Sequence, residues 1–153
     1  MPRSIAVANE HAKTQVAVRS AQAVIHALDR SRTWRCPRGE LSVVFLGDKA
    51  IAKIHAEFLD DPTVTDVITF LGEDHPVAPF AGEICINVDQ AKRAAKEHGT
   101  SLEQELRLYL AHGWLHLAGL FYETKAQAAA MRAAEAAVLR QLDKTKAHLK
   151  VTV

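Results

Sequence analysis

Two histidines four residues apart are the side chains of this sequence best suited to chemistry. His112 and His116 lie in an apolar stretch of helical length, and Gly119 follows three residues later. On an α-helix, positions i and i+4 share one face, so two imidazoles there can bind one metal ion. A glycine can then end the helix and let the chain fold back. The spacing predicts a metal centre with Tyr122 at the position of a third ligand.

The glycine between the two histidines bears on an alternative interpretation, in which both are ordinary histidines of a packed helix. Gly113 costs such a helix about 1 kcal/mol relative to alanine, and glycine is used where a backbone or a substrate approaches closely. This favours a site. Metzincin proteases share the His-x-x-x-His frame but carry a general-base glutamate at the position of Gly113. Proteolysis by that mechanism is therefore not supported.

The pattern of helices and strands that must position these residues indicates a single α+β domain over residues 1–153. Hydrophobic periodicity predicts strands at 4–8, 40–46, 65–71 and 82–87, and helices at 14–29, 49–59, 89–98, 102–117 and 124–142. This order predicts a four-stranded mixed sheet packed with about five α-helices. The helix 102–117 is zincin-like and carries both histidines. The basic tail beyond about residue 144 is expected to fray.

The composition is that of a globular domain, with 48% apolar residues and a formal net charge of +1. That charge does not indicate a protein that coats nucleic acid by bulk electrostatics. The apolar runs are shorter than the roughly eighteen residues of a membrane span, and the N-terminus lacks the apolar core of a signal peptide. We therefore expect a cytoplasmic protein with no membrane partner.

A local basic cluster surrounds Trp34 in the connection between the first helix and the second strand. Its members are Arg30, Arg32, Arg35 and Arg38. Arginines interleaved with an aromatic residue can hold a phosphate backbone and stack a base. The alternative is a solvated loop whose tryptophan packs into the core.

Three motifs in register resemble one protein family. Residues 112–119, His-Gly-Trp-Leu-His-Leu-Ala-Gly, are similar to the His-Gly-x-Leu-His-Leu-x-Gly-Tyr-Asp-His signature of the YbeY family of rRNA maturation factors. Residues 65–70 and 82–86 resemble the family's Thr-Asp-Val-Leu-Ser-Phe and Gly-Asp-Ile-x-Ile strands, and Met131 matches its helix methionine. The resemblance extends over roughly residues 41–142 in unbroken order.

This resemblance implies a single-strand-specific, metal-dependent endoribonuclease that acts in 16S rRNA 3′-end maturation and ribosome quality control. It implies one Zn²⁺ per chain, with His112 and His116 as ligands and catalytic residues and Tyr122 where the family has its third histidine. The expected partners are single-stranded RNA, the 16S rRNA precursor and the small ribosomal subunit, and not DNA. Arg35 and Arg38 are candidate RNA contacts.

The chain departs from the family pattern at Tyr122, at Phe121 in place of an aspartate, and at Leu59 in place of an arginine expected near the RNA phosphate. Because a phenol must lose a proton to bind zinc, Glu123 is an alternative third ligand if the loop shifts, and His55 is another if its helix faces the site. The departures leave a second function open, a ribosome- or RNA-binding assembly factor that keeps the fold without a full metal site.

The general base is not identified by the motif, because no carboxylate follows His112 in the helix. By position in the sequence, the candidates are Glu123, Glu83 and Asp66. Asp66 has an alternative structural role, in which it caps a turn or orients a ligand histidine.

Overall fold

Five α-helices and six β-strands make up the part of the chain that the computed structural model describes, residues 2–153. In chain order they are β1 (Ile5–Asn9), β2 (Gln15–Val16), α1 (Val18–Asp29), β3 (Glu40–Leu46), α2 (Asp48–Leu59), β4 (Val67–Glu73), β5 (Phe80–Asn87), α3 (Val88–His98), α4 (Leu102–Leu117), α5 (Lys125–Lys144) and β6 (Val151–Thr152). Within these residues, no helix is both long and apolar enough to cross a membrane.

The main sheet has the strand order β1-β3-β5-β4. The first three strands are parallel, and β4 pairs with β5 in the antiparallel direction. Parallel neighbours need crossover connections, which explains why a helix follows each of β1 and β3 along the chain. The predicted α+β fold, with a mixed four-stranded sheet and five helices, is confirmed.

The central element is α4, the helix that carries the two histidines. It begins at a capping box formed by Ser101 and Gln104. Leu106, Leu110 and Trp114 are completely buried. The helix packs on β5 and β4 and is flanked by α3 and α5. A helix buried on several sides holds its side chains in fixed directions, which a metal centre requires.

Gly113 lets α4 lie directly on the sheet. A Cβ atom at this position would stand 2.5 Å from Cγ2 of Ile84 on β5, too close for any real contact. The glycine is therefore explained by helix–sheet packing rather than by approach of a substrate. Because side chains alternate along a strand, Ile84 and its cross-strand partner Thr69 face α4, whereas Glu83 and Cys85 face the other side of the sheet.

The expectation of a frayed tail beyond residue 144 is wrong. Leu149 is only 4% exposed, its backbone N–H donates to Glu103 at 3.0 Å, and β6 pairs with β2 in a second, two-stranded sheet. The strand β6 has only two residues, too few to show the alternation by which a strand is recognised in a sequence. For the same reason β2 was not predicted, and α1 begins at Val18 rather than at residue 14.

Asp48 is the first residue of α2, directly after the N-cap residue Gly47. Its carboxylate accepts two hydrogen bonds from Arg93, at 2.8 and 2.7 Å, and one from Asn87 at 2.8 Å. The hydrogen bonds from Arg93 lower the pKa of Asp48 to about 2 against the opposing effect of burial, and Asn87 adds to the lowering. This ion pair ties α2 to α3.

Candidate metal centre

His112 and His116 are held by hydrogen bonds from two different elements. Nδ1 of His112 lies 2.6 Å from Oε2 of Glu135 on α5, and Nδ1 of His116 lies 2.7 Å from Oγ1 of Thr69 on β4. Within residues 2–153, the Nε2 atoms of both rings have no hydrogen-bond partner. A histidine bonded through one nitrogen to a carboxylate or hydroxyl, with the other nitrogen free, is the usual arrangement of a metal ligand.

The electrostatic surroundings keep the second histidine neutral. Burial lowers the pKa of His116, the nearby His112 lowers it further, and Glu123 acts in the opposite direction. A neutral imidazole binds a metal ion without first losing a proton. The ring of His116 is therefore ready to act as a ligand at neutral pH.

The chain folds back beyond α4 and brings Tyr122 against both histidines. The turn depends on Gly119, whose φ of 103° is a backbone conformation that glycine adopts readily. The ring centroid of Tyr122 lies 4.9 Å from that of His112 and 5.6 Å from that of His116. Phe121 packs edge-on against His116 at 5.6 Å. The predicted third position is thus adjacent to the histidine pair, but a phenol stands there.

The protonation of Tyr122 limits how well the centre fits a metal. Burial raises the pKa of its phenol, and the negative charges of Asp66 and Glu123 raise it further. Among the described residues, no three His, Cys, Asp or Glu side chains are grouped closely enough to hold a metal ion. The geometry therefore does not place Glu123 with the histidines as a ligand. Two ligand positions fit a divalent ion, and the third is a phenol that must first ionise.

Two other candidates lie away from the centre. Glu83 points to the face of the sheet opposite α4, where its carboxylate accepts a hydrogen bond from the Cys85 thiol at 3.4 Å. His55 on α2 bonds through Nδ1 to the carbonyl oxygen of Thr63 at 2.9 Å. The structure brings neither side chain to the histidine pair.

Asp66 combines a local structural contact with proximity to the centre. Its carboxylate accepts the backbone N–H of Val67 at 2.8 Å, where β4 begins. Its charge also raises the pKa of Tyr122, so its electrostatic influence reaches the centre. Leu59, at the end of α2, is 53% exposed and leaves no cation at the position of the family arginine.

Arg35 and Arg38 lie elsewhere, in the wall of a cleft of about 1010 Å³ whose lining includes neither histidine. Arg38 pairs with Asp74 at 2.8 Å, and both of these side chains are well exposed. Trp34 is partly buried and packs against the core, as the packing interpretation predicts. These residues form a second feature of the surface, separate from the centre.

Two residues that orient the histidine rings, Thr69 and Glu135, were not predicted from the sequence. Each had a signal in the sequence. Thr69 lies in the predicted strand 65–71, at a position whose side chain faces the histidine helix once the register with β5 is known. Glu135 follows Ala134, a member of the buried stripe of α5. Both assignments needed the packing of elements that are distant in the chain.

Comparisons with known proteins show which family the chain resembles. A family model described as Endoribonuclease YbeY matches residues 5–143. The Endoribonuclease YbeY of Anaeromyxobacter sp. (strain Fw109-5) is 32% identical over 142 residues, 90% of this chain and 71% of that protein. That of Myxococcus xanthus (strain DK1622) is 38% identical over 104 residues, 65% of this chain but only 35% of that protein.

A solved structure has a similar fold. The solution structure of TM1509 from Thermotoga maritima matches with a TM-score of 0.58 and covers 92% of this chain and 93% of that one. Because the two sequences are 20% identical, this likeness concerns the fold alone.

Proposed function

The chain belongs to the YbeY family, and from that premise we propose that it is an endoribonuclease that cleaves single-stranded RNA. In this proposal it acts in the cytoplasm on the 16S rRNA precursor, in 3′-end maturation and ribosome quality control, in contact with the small ribosomal subunit. Support comes from the family match over residues 5–143 and from the names of the relatives, which describe those proteins as endoribonucleases.

The observation that carries metal dependence is the pair of anchored histidines. His112 and His116 each have Nδ1 fixed by a neighbour, at 2.6 and 2.7 Å, and a free Nε2. Imidazole nitrogens suit Zn²⁺ better than Mg²⁺ or Ca²⁺, which prefer oxygen ligands. In our proposal one zinc ion is held by the two Nε2 atoms, with Tyr122 as the third protein ligand.

Zinc bound there would supply Lewis-acid polarisation of a phosphodiester oxygen and would lower the pKa of a water molecule towards 7. The residues of the chain do the rest. Glu135 holds the ring of His112 and increases its basicity, and Thr69 fixes the ring of His116. Of the carboxylates considered as general base, Glu83 lies on the face of the sheet opposite α4, and the remaining two, Asp66 and Glu123, act electrostatically on Tyr122. We propose that one of these two accepts the proton.

One observation favours the second candidate, an assembly factor that binds RNA or the ribosome without cleaving. The third ligand position holds a phenol whose pKa is raised, and Leu59 provides no charge to stabilise a phosphate. Both features reduce catalysis and leave the fold intact. Metal content and RNA cleavage distinguish the two candidates.

The test measures zinc in protein purified without added metal, together with cleavage of a labelled single-stranded RNA and of its duplex. Wild type should retain close to one equivalent, whereas His112→Ala should retain less than about a tenth. The matched control is His148→Ala, whose half-exposed side chain has only a 3.9 Å contact with Glu103. EDTA should stop cleavage of the single strand, and added zinc should restore it.

Two results would refute metal dependence. One is a wild-type zinc content below about a tenth of an equivalent that His112→Ala leaves unchanged. The other is cleavage that persists in EDTA. Little bound zinc and no cleavage, combined with tight RNA binding, would establish the assembly factor instead.

A further inference from the structure

Two adjoining cavities follow the connection between α1 and β3. The larger has a volume of about 1010 Å³ and the smaller about 370 Å³. Arg30 and Ser31 line both of them, so the two cavities adjoin there, and together we call them the arginine groove. The larger part includes Arg35 and Arg38, and the smaller part includes Arg32 and Trp34.

The arginine groove concentrates positive charge. Its lining carries five arginines, Arg3, Arg30, Arg32, Arg35 and Arg38, against two carboxylates, Asp29 and Glu40. The net is three positive charges, although the whole chain has a formal charge of only +1. In the part of the chain that the structure describes, the side chains of Arg30, Arg32 and Arg35 have no hydrogen bond or ion pair. Three guanidinium groups are therefore available to an anionic ligand.

The wall of the groove is fixed by Arg3. Its guanidinium donates to the Asp29 carboxylate at 2.9 Å and to the carbonyl oxygens of Cys36 and Gly39 at 3.3 and 3.1 Å. The same carboxylate accepts the indole N–H of Trp114, at 3.0 Å, which ties the loop to α4. A loop held at so many points needs little further ordering of its backbone on binding.

Trp34 adds an aromatic surface. Its ring packs partly on the core and lines the smaller cavity. Its backbone N–H donates to the Ser31 hydroxyl at 3.2 Å, which fixes the turn. The other tryptophan of the chain, Trp114, is completely buried. Trp34 is thus the one tryptophan, within residues 2–153, on which a base can stack.

We infer that the arginine groove binds the backbone of single-stranded RNA and stacks a base on Trp34. The cations are spread over two adjoining cavities instead of converging on one point, which suits a chain of phosphates better than one small anion. This inference rests on the proposed function, since it assigns part of the RNA contact to a surface apart from the histidine pair. It also explains how a chain of nearly neutral net charge holds a polyanion.

The experiment measures binding of a labelled single-stranded RNA of about 16 nucleotides by fluorescence anisotropy, with EDTA present so that cleavage does not interfere. The test variant is Arg30→Gln with Arg35→Gln. The control is Arg19→Gln with Arg132→Gln, two exposed arginines on α1 and α5 that make the same change in charge. Circular dichroism checks the fold of both.

Each phosphate contact to a single strand contributes about 0.7 to the slope of log affinity against log salt, which is about fivefold in affinity at 0.1 M salt. The test variant should bind about 25-fold more weakly, and its slope should be smaller by about 1.4. The control should bind like wild type. RNA should quench tryptophan emission, and Trp34→Phe should abolish that quenching because Trp114 is buried.

Equal affinities of the two double variants would overturn the inference, and so would a nucleoside monophosphate that binds as tightly as the RNA. A failure of the proposed nuclease function is detected separately from a failure of the groove, with the variant His112→Ala. If that variant and wild type bind RNA equally and neither cleaves it, the nuclease proposal fails. The groove is then still judged by the arginine variants.

Discussion

The substitution Tyr122→His tests the weakest part of the centre. In the structure, the phenol ring lies against both histidines, with ring centroids at 4.9 and 5.6 Å. Burial and two nearby carboxylates raise its pKa above the ordinary value. Zinc must displace the phenolic proton to bind oxygen there, whereas a neutral imidazole has no proton to lose. We expect Tyr122→His to bind zinc more tightly and to cleave single-stranded RNA faster.

The magnitude follows from the cost of ionisation. A phenol with a pKa of about 10 costs roughly 4 kcal/mol to ionise at pH 7, at about 1.4 kcal/mol for each unit. The raised pKa of Tyr122 makes this a lower bound on that cost. Because a phenolate oxygen binds zinc more strongly than an imidazole, part of the cost is recovered. The increase in zinc affinity should therefore lie between about tenfold and a thousandfold at pH 7.

The assay is competition for zinc with a chromophoric chelator, at several pH values between 7 and 9. In wild type, apparent affinity should rise about tenfold for each pH unit, because one phenolic proton is released on binding. In Tyr122→His the affinity should be nearly independent of pH over this range. Tyr122→Phe keeps the ring but removes the oxygen, and should bind more weakly than wild type. Tyr109→Phe is the control. Burial raises the pKa of Tyr109 to about 12, so its phenol keeps its proton throughout this pH range.

Unchanged zinc affinity in both Tyr122 variants would refute this reasoning. It would mean that the phenol is not a ligand, and that Glu123 or a water molecule completes the coordination. A wild-type affinity that does not vary between pH 7 and 9 would contradict the ionisation argument directly, whatever the affinity itself.

Three further predictions concern the supports of the centre and of the fold. Glu135→Gln should weaken zinc binding by about 10–100-fold in the same chelator assay, with an unchanged circular dichroism spectrum, because it removes the carboxylate that orients its histidine. Gly113→Ala should lower the free energy of unfolding in urea by about 1–3 kcal/mol, since its Cβ would overlap Ile84 at 2.5 Å. If the losses in Gly113→Ala and in Ile84→Ala were strictly additive in the double variant, that clash would be excluded. Arg93→Gln should lower the free energy of unfolding by less than about 1 kcal/mol above pH 4, because the ion pair between Arg93 and Asp48 is exposed. The Asp48 pKa falls from 3.8 to about 2 on folding, so this cost should vanish as pH falls from about 4 to 2; a difference independent of pH would contradict it.

Local patterns were sufficient for most of the architecture. The strands 40–46 and 82–87 lie within β3 and β5, and the helix 102–117 coincides with α4, because alternation, helical periodicity and a capping box all agree there. The close approach expected at Gly113 is present, but it does not by itself indicate a site. Its neighbour was the Ile84 side chain instead of a substrate, which local pattern does not reveal.

The failures share one physical cause, since each depended on a partner distant in the chain. The strand β6 consists of two residues, too few for a periodic signal, and it is ordered by β2 and by the burial of Leu149. The orienting residues Thr69 and Glu135 make their contacts across 47 and 23 positions of sequence. Spacing within one helix could place the two histidines, but not the residues that fix their rings.

The pairing of β2 with β6 also affects when the fold can be completed. It joins Val16 to Val151, which are separated by most of the chain, and β6 lies beyond the residues 5–143 that match the family. Closing so long a loop is slow and costly in entropy. On a ribosome, the segment before α1 would wait for this partner until nearly all of the described chain had been made. A molecule proposed to process ribosomal RNA thus completes the short sheet before its first helix only late in its own synthesis.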